Sequence, residues 1–192
     1  STLLASSAAS DVYKRQHLNI IIEETDRLTQ IVNDMLDLSK LESGAQKLDY
    51  STFDIAQCMA EIVHRYEGVS ERMGYQIHLT LDEPCMVRCD ESKIDRVIGN
   101  LINNAINYTS KEDKQVFVTQ RNLPQCVRIE VRDTGDGIEE DKIKLIFDKY
   151  YRSENHKREV VGTGLGLSIV KEILKMHNLS LIHISEPTRH LR

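Results

Sequence analysis

The sequence predicts an α+β fold: a layer of strands backed by helices, preceded by one long helix. Three observations predict it. Residues 17–44 carry a helical pattern in which Ile21, Leu28 and Met35 recur every seven positions, as do Ile31 and Leu38. From residue 50 onward, helical and alternating patterns interleave irregularly. Two strand patterns, 114–122 and 126–133, meet at a turn over Leu123–Pro124, and such a hairpin has no place in a doubly wound parallel sheet.

Taken in order, the first helix gains Val32 and Leu36 on its apolar stripe, with Lys40 near its end and Gly44 as a C-terminal cap. A stripe of this length serves either core packing or a bundle seam, and its near-terminal position favours the seam. A linker follows. Asp54 then caps a helix whose apolar face is Ile55, Met59, Ile62, Val63 and Tyr66. Tyr75, Ile77, Leu79 and Leu81 alternate along a half-buried strand, and "CMVRCD" offers a second short one. Ile94, Val97, Ile98, Leu101, Ile102 and Ala105 mark a helix over 90–110. After the hairpin, residues 138–152 read as helical, 153–161 as a polar stretch, and 162–166 as a glycine loop leading into a last helix.

The chain has 192 residues, enough for one sizeable core, and its 40% hydrophobic and 29% charged content reads as globular rather than disordered. A net charge of −5 offers no basic surface for nucleic acid or anionic lipid. No apolar run approaches the roughly 18 residues of a membrane span. Cys58, Cys85, Cys89 and Cys126 have no zinc-ligand or CxxC spacing and read as free thiols of a cytosolic protein.

Four stretches carry chemistry. Asn100, Asn104 and Asn107 stand at i, i+4 and i+7, one carboxamide face on a helix that asparagine does not favour. Neutral oxygens suit a hard cation such as magnesium, although a plain polar outer face is the alternative. "DTGDGI" follows a strand, so Asp133 can present its carboxylate to an exocyclic amine while Gly135 and Gly137 leave the backbone clear; an ordinary Asp-Gly turn is the competing reading. "IFDKYYR" places Phe147, Tyr150, Tyr151 and Arg152 beside the polar stretch, with Arg152 suited to bidentate phosphate contact. In "VGTGLGL", Gly162, Gly164 and Gly166 precede a helix whose N–H groups attract anions.

In this order and spacing the four stretches resemble the N box, first glycine box, F box and second glycine box of the sensor histidine kinase ATP-binding domain. That domain belongs to the wider group that includes gyrase, mismatch-repair ATPases and heat-shock chaperones. "RLTQIVNDMLDLSKLESG" is similar to the second helix of the kinase dimerisation hairpin. The resemblance implies a two-layer α/β sandwich with a mixed sheet backed by helices, and ATP and magnesium as cofactors. Asn104 would hold the metal, and Asn100 would stand where related ATPases have a glutamate base. An amide takes no proton from water, which suits a kinase that must preserve ATP. Asp133 would bind the adenine amine, Gly135, Gly137 and Ile138 would shape the pocket, and Tyr108 would pack on the base. Gly162, Thr163, Gly164, Leu165, Gly166 and Leu167 would meet the phosphates under a lid at 153–161, with Arg152 contacting the terminal one. Many members carry Lys or Arg where Asn107 stands, and Lys149 or Lys111 could supply that charge.

The intact relative would pass the γ-phosphate to a histidine and then to an aspartate of a response-regulator receiver domain. It would form a homodimer through the hairpin and be anchored in a bacterial inner membrane, with this portion cytoplasmic. A non-catalytic nucleotide-binding or dimerisation module of the same fold is the alternative. None of the seven histidines is followed by the acidic residue and proline of the family's acceptor. The ends carry their own expectation. "DVYKRQ" at 11–16 and "LSLIHI" at 179–184 are translations of one DNA element read in opposite orientations, and that element resembles a transposon end used in sequencing-library preparation. Residues 1–16 and 179–192 are therefore set aside as adaptor translations. That leaves 17–44 as the hairpin helix and 50–178 as an ATP-binding domain without its closing strands.

Overall fold

The computed structural model describes residues 2–109, 112–152 and 162–182, with side chains over the same ranges except 2–16, 19, 20, 23 and 69. Helix α1 (Thr2–Glu42) leads into strand β1 (Ser51–Asp54), helix α2 (Ile55–Met73), strands β2 (Gln76–Thr80) and β3 (Met86–Cys89) and helix α3 (Glu91–Tyr108). Strands β4 (Gln115–Leu123) and β5 (Cys126–Asp133) and helix α4 (Gly166–Met176) follow.

The sheet is mixed, in the order β2-β4-β5: β2 runs parallel to β4, and β4 antiparallel to β5. The hairpin and both predicted strands at 76–80 and 86–89 are present. β3, however, pairs with β1 in a separate two-stranded ribbon. Ser51–Asp54, where the sequence pattern predicts no strand and Asp54 reads only as a helix cap, form β1, whose four residues pair only with a strand that arrives more than thirty positions later.

Asp54 caps α2 as expected: its Oδ1 accepts from the Ala56 N–H at 3.0 Å, and from the Cys85 N–H at 3.0 Å. Gly74 closes that helix in the left-handed region, at φ 73°. Asp90 does the same work at the start of α3, accepting from the Lys93 N–H.

α3 is the spine of the molecule. One face (Ile94, Ile98, Ile102, Ala105 and Ile106) packs with α2 and the inner sheet residues Val116 and Val118. Its other side offers Val97, with Leu101 packed alongside, to Ile169, Val170 and Ile173 of α4. Fully burying a side chain of this size contributes about 1.5–3 kcal/mol, so these two faces fix α3 between sheet and α4. The end of α1 joins the second cluster through Leu38 and Leu41, both buried.

The stripe on α1 therefore divides. Leu38 is core, whereas Ile21, Leu28, Val32, Met35 and Leu36 are each more than half exposed, the face left for a seam. Residues 138–152 are not the expected α-helix. They run as successive turns, with N–H to carbonyl bonds mostly three residues back (Leu145 to Lys142, Asp148 to Leu145). Leu145 and Tyr150 are exposed, and Tyr150 takes a left-handed φ of 63°. A short helix needs a buried face to form, and this segment buries none deeply.

Candidate functional site

Two glycine turns lie against α3, one near its middle and one at its C-terminal end. Near the middle of the helix, Asn100 Nδ2 donates to the Gly166 carbonyl at 3.3 Å. At the C-terminal end, a Cβ on Gly135 would sit 2.1 Å from the Tyr108 carbonyl oxygen, so only glycine fits there. Asn100 and Tyr108 are eight residues apart, about 12 Å along a helix axis. The asparagine face of α3 thus spans from one glycine turn to the other.

The first turn is fixed by the residue that was expected to serve it. Asp133 ends β5, and its Oδ1 accepts from the Gly135 N–H at 2.8 Å, an aspartate turn in the strict sense. A carboxylate has about four acceptor sites, so this bond leaves capacity for a further donor. Thr109 and Thr134 share a hydroxyl hydrogen bond at 2.9 Å that ties the end of α3 to the end of β5. Gly137 has φ 75°, a conformation side chains avoid, and half-buried Ile138 follows it.

The second turn is pinned by the aromatic-Arg segment. The Tyr150 N–H donates to the Gly164 carbonyl at 3.0 Å. Gly164 has φ 71°, and a Cβ there would lie 3.1 Å from the Tyr150 Cα. Among the described residues nothing crowds Gly162. Leu165 is fully buried and anchors the turn, while Thr163, Gly166 and Leu167 are half-buried beside it. Among the described residues no side chain caps the start of α4 and no acidic residue lies in its first turn, which leaves its N-terminal dipole suited to an anion.

Asn104 is half-buried on α3 between the two turns, whereas Asn107 is exposed. Lys149 points to α1, its Nζ 2.6 Å and 2.7 Å from the two carboxylate oxygens of Glu42. Arg152 is half-buried at the end of its segment. The lid at 153–161 and Lys111 lie outside the described residues.

Sequence reasoning missed Asp34 and Arg96. Arg96 stands one turn before Asn100 and binds Asp34 at 3.1 Å and Asp37 at 2.6 Å. Asp34 also accepts from the Thr163 hydroxyl, at 3.1 Å. The available signal was the acid pair at i and i+3 on the first helix facing a lone arginine on the third. No helix among the described residues is long and apolar enough to cross a membrane.

Comparison with known proteins gives the same picture. Residues 89–192 match the family described as histidine kinase-, DNA gyrase B-, and HSP90-like ATPase. Residues 1–44 match the His Kinase A (phospho-acceptor) domain. Both matches run into the terminal segments 1–16 and 179–192. An uncharacterized sensor-like histidine kinase of Pyropia yezoensis is 36% identical, covering 89% of this chain and 28% of its own length. The sensor protein kinase WalK of Staphylococcus saprophyticus is 36% identical across 85% of this chain and 27% of its own. The chain spans less than a third of the length of these two relatives. Among solved structures, full-length ShkA in complex with AMPPNP superposes with a TM-score of 0.73 at 25% identity, over 85% of this chain and 34% of that one. The catalytic domain of ThkA superposes at 0.59 and 26% identity, over 67% of this chain and 83% of that one. With the phospho-acceptor match ahead of the ATPase match, and both glycine turns seated on one asparagine-faced helix, the chain belongs to the histidine kinase-, DNA gyrase B- and HSP90-like ATPase family and has the layout of a sensor histidine kinase catalytic core.

Proposed function

We propose that α3 and its two flanking glycine turns bind ATP with magnesium, and that the longer protein to which this chain corresponds transfers the terminal phosphoryl group to a histidine. The observation that carries this reading is the placement of Tyr108 with Asp133 and Gly135 at the C-terminal end of α3, and of Asn100 with Gly166 near its middle. The residues present fit such a ligand in two respects. The space at Gly135 admits no side chain, so the turn beside Asp133 closes directly onto the Tyr108 carbonyl. The uncapped start of α4 suits phosphate at the other turn.

In this reading Asp133 accepts a hydrogen bond from the base amine, and Tyr108, Gly137 and Ile138 bound the base. Asn104 offers its carboxamide oxygen to magnesium, whose charge offsets that of the phosphates when bound. Gly162, Thr163, Gly164, Leu165, Gly166 and Leu167 turn backbone N–H groups toward the phosphates. Arg152 is assigned to charge developing on the terminal phosphate, and Lys149 to the role that Asn107 leaves open. Asn100, a carboxamide rather than a carboxylate, activates no water and so protects the nucleotide from hydrolysis. Residues 17–44 act as a hairpin helix, 50–178 as the ATP-binding domain, and 1–16 and 179–192 as adaptor translations. A homodimer through the exposed stripe of α1, a receiver-domain partner and a membrane anchor complete the proposal for the longer protein.

The test adds a separate intact hairpin bearing the family's acceptor histidine, together with terminally labelled ATP. Label transferred to the hairpin is the expected result. ATP binding without transfer would instead make this a nucleotide-binding module.

A further inference from the structure

We propose that α1 restrains the phosphate loop: Asp34 and Glu42 occupy donors that a triphosphate would use, so docking of α1 and loading of the loop oppose one another. The inference rests on the reading of 162–166 as a phosphate loop.

Asp34 is only 8% exposed, unusual for a carboxylate on a helix otherwise rich in exposed residues. Three of its roughly four acceptor positions are engaged. Oδ1 accepts from Gln30 Nε2 at 2.9 Å and Arg96 Nη2 at 3.1 Å, and Oδ2 accepts from Thr163 Oγ1 at 3.1 Å. The Thr163 hydroxyl accepts in turn from the Leu165 N–H at 3.2 Å. A hydroxyl carries one proton, and a phosphate oxygen at neutral pH offers mainly lone pairs. The Thr163 proton can therefore serve Asp34 or a phosphate, not both.

The other rim of the loop is held in the same way. Glu42 brackets Lys149, and the next residue, Tyr150, is hydrogen-bonded through its N–H to Gly164. Asp37 takes the other terminal nitrogen of Arg96, Nη1. Arg96 and Lys149 are thereby paired with carboxylates of α1, and Arg96 lines a cavity of about 500 Å³ walled also by Asp34, Asp37 and Lys40 of α1 and by Asn100 of α3. A polyanion approaching this loop meets carboxylates where it would otherwise meet a hydroxyl proton and two cations. Leu38 and Leu41 share a hydrophobic cluster with Leu165 and Ile169 and hold α1 against the loop. Linkage requires reciprocity: whatever factor docked α1 subtracts from nucleotide affinity, bound nucleotide subtracts from docking.

Magnesium-ATP titrations by calorimetry on the 192-residue chain and on Asp34→Ala, Glu42→Gln and Asp133→Asn separate the outcomes. The inference expects Asp34→Ala and Glu42→Gln each to tighten binding by about threefold or more. It also expects faster amide exchange at 38–42 of the parent chain at saturating nucleotide. Glu42 is an exposed partner in its pair, so its variant tests the idea even if Asp34→Ala unfolds. Affinity equal to or below the parent's in both folded variants, with Asp133→Asn still weakening it, would overturn the restraint alone. If neither the parent nor the Asp34 and Glu42 variants bind, the phosphate-loop reading fails and this inference with it.

Discussion

A methyl group on Gly135 would meet both the Tyr108 carbonyl oxygen and, at 2.7 Å, the Asp133 carboxylate. Gly135→Ala is therefore expected to cost about 1–3 kcal/mol in a urea titration, as overpacking does, and to abolish ATP binding even where the chain still folds. At Gly162 an alanine methyl would meet no atom of the described residues within 4 Å. Cysteine reactivity offers a second check. Burial pushes the Cys58 thiol up from 9.0 to about 11, with Asp95, Glu91 and Glu61 adding to the rise and Arg65 opposing it. The folded state thus disfavours the Cys58 thiolate: its contribution to stability is whole below pH 9 and is lost as pH climbs toward 11. Iodoacetamide at pH 8 should modify exposed Cys126 rapidly and Cys58 only on unfolding, as read by peptide mass. Equal rates in the folded chain would contradict this. At this scale the asparagine face and the Asp133–Gly135 turn were legible as features, because asparagine on a helix face and glycine beside aspartate are costly choices that advertise a reason. Asp34 was not legible: its partner Thr163 lies 129 positions away, and no local pattern announces such a contact.

Among the elements, α3 carries the heaviest duty and rests on its cap. Burial pushes the Asp90 carboxyl up, but hydrogen bonds from the Asp49 N–H, Ser92 Oγ and the Lys93 N–H outweigh it and hold the group below its ordinary value. A carboxyl depressed on folding stabilises above the unfolded pKa of about 4 and loses that contribution as pH falls through the folded value. Asp90→Ala should cost about 1–2 kcal/mol at pH 7, and the gap from the parent should narrow below about pH 4 in urea titrations. A gap unchanged down to pH 2 would contradict the assignment. For α1, Leu41→Ala should cost about 2–5 kcal/mol, being buried against α4. Leu28→Ser on the exposed stripe should leave monomer stability within about 0.5 kcal/mol while lowering self-association in sedimentation. Helices with a strong apolar period were readable from sequence because their buried face is written at fixed spacing. The turns at 138–152 were misread as helix because Ile138, Ile143, Ile146 and Phe147 mimic that spacing without a surface to pack on. β1 escaped notice because four residues hold too little pattern, and its pairing with β3 is made only by the tertiary fold.

At the scale of the whole molecule, one helix serves both cores and both glycine turns, so folding and ligand binding draw on the same element. A ligand that binds the folded state alone adds stability as its concentration exceeds its dissociation constant, by about 2.7 kcal/mol at a hundredfold excess. The mixed sheet and the helices that back it were foreseeable as classes of structure. Their mutual docking was not, since it depends on contacts between segments far apart in the chain, such as Arg96 with Asp34 and Asp37. The most direct measurement is calorimetric titration of ATP into the chain, with and without magnesium, beside Asp133→Asn, after circular dichroism shows both to be folded. Magnesium-dependent binding that falls at least tenfold in the variant, about 1.4 kcal/mol, is the predicted result. A folded chain that binds no ATP, or binds it equally well without Asp133, would contradict the assignment of α3 and its two glycine turns as a nucleotide site.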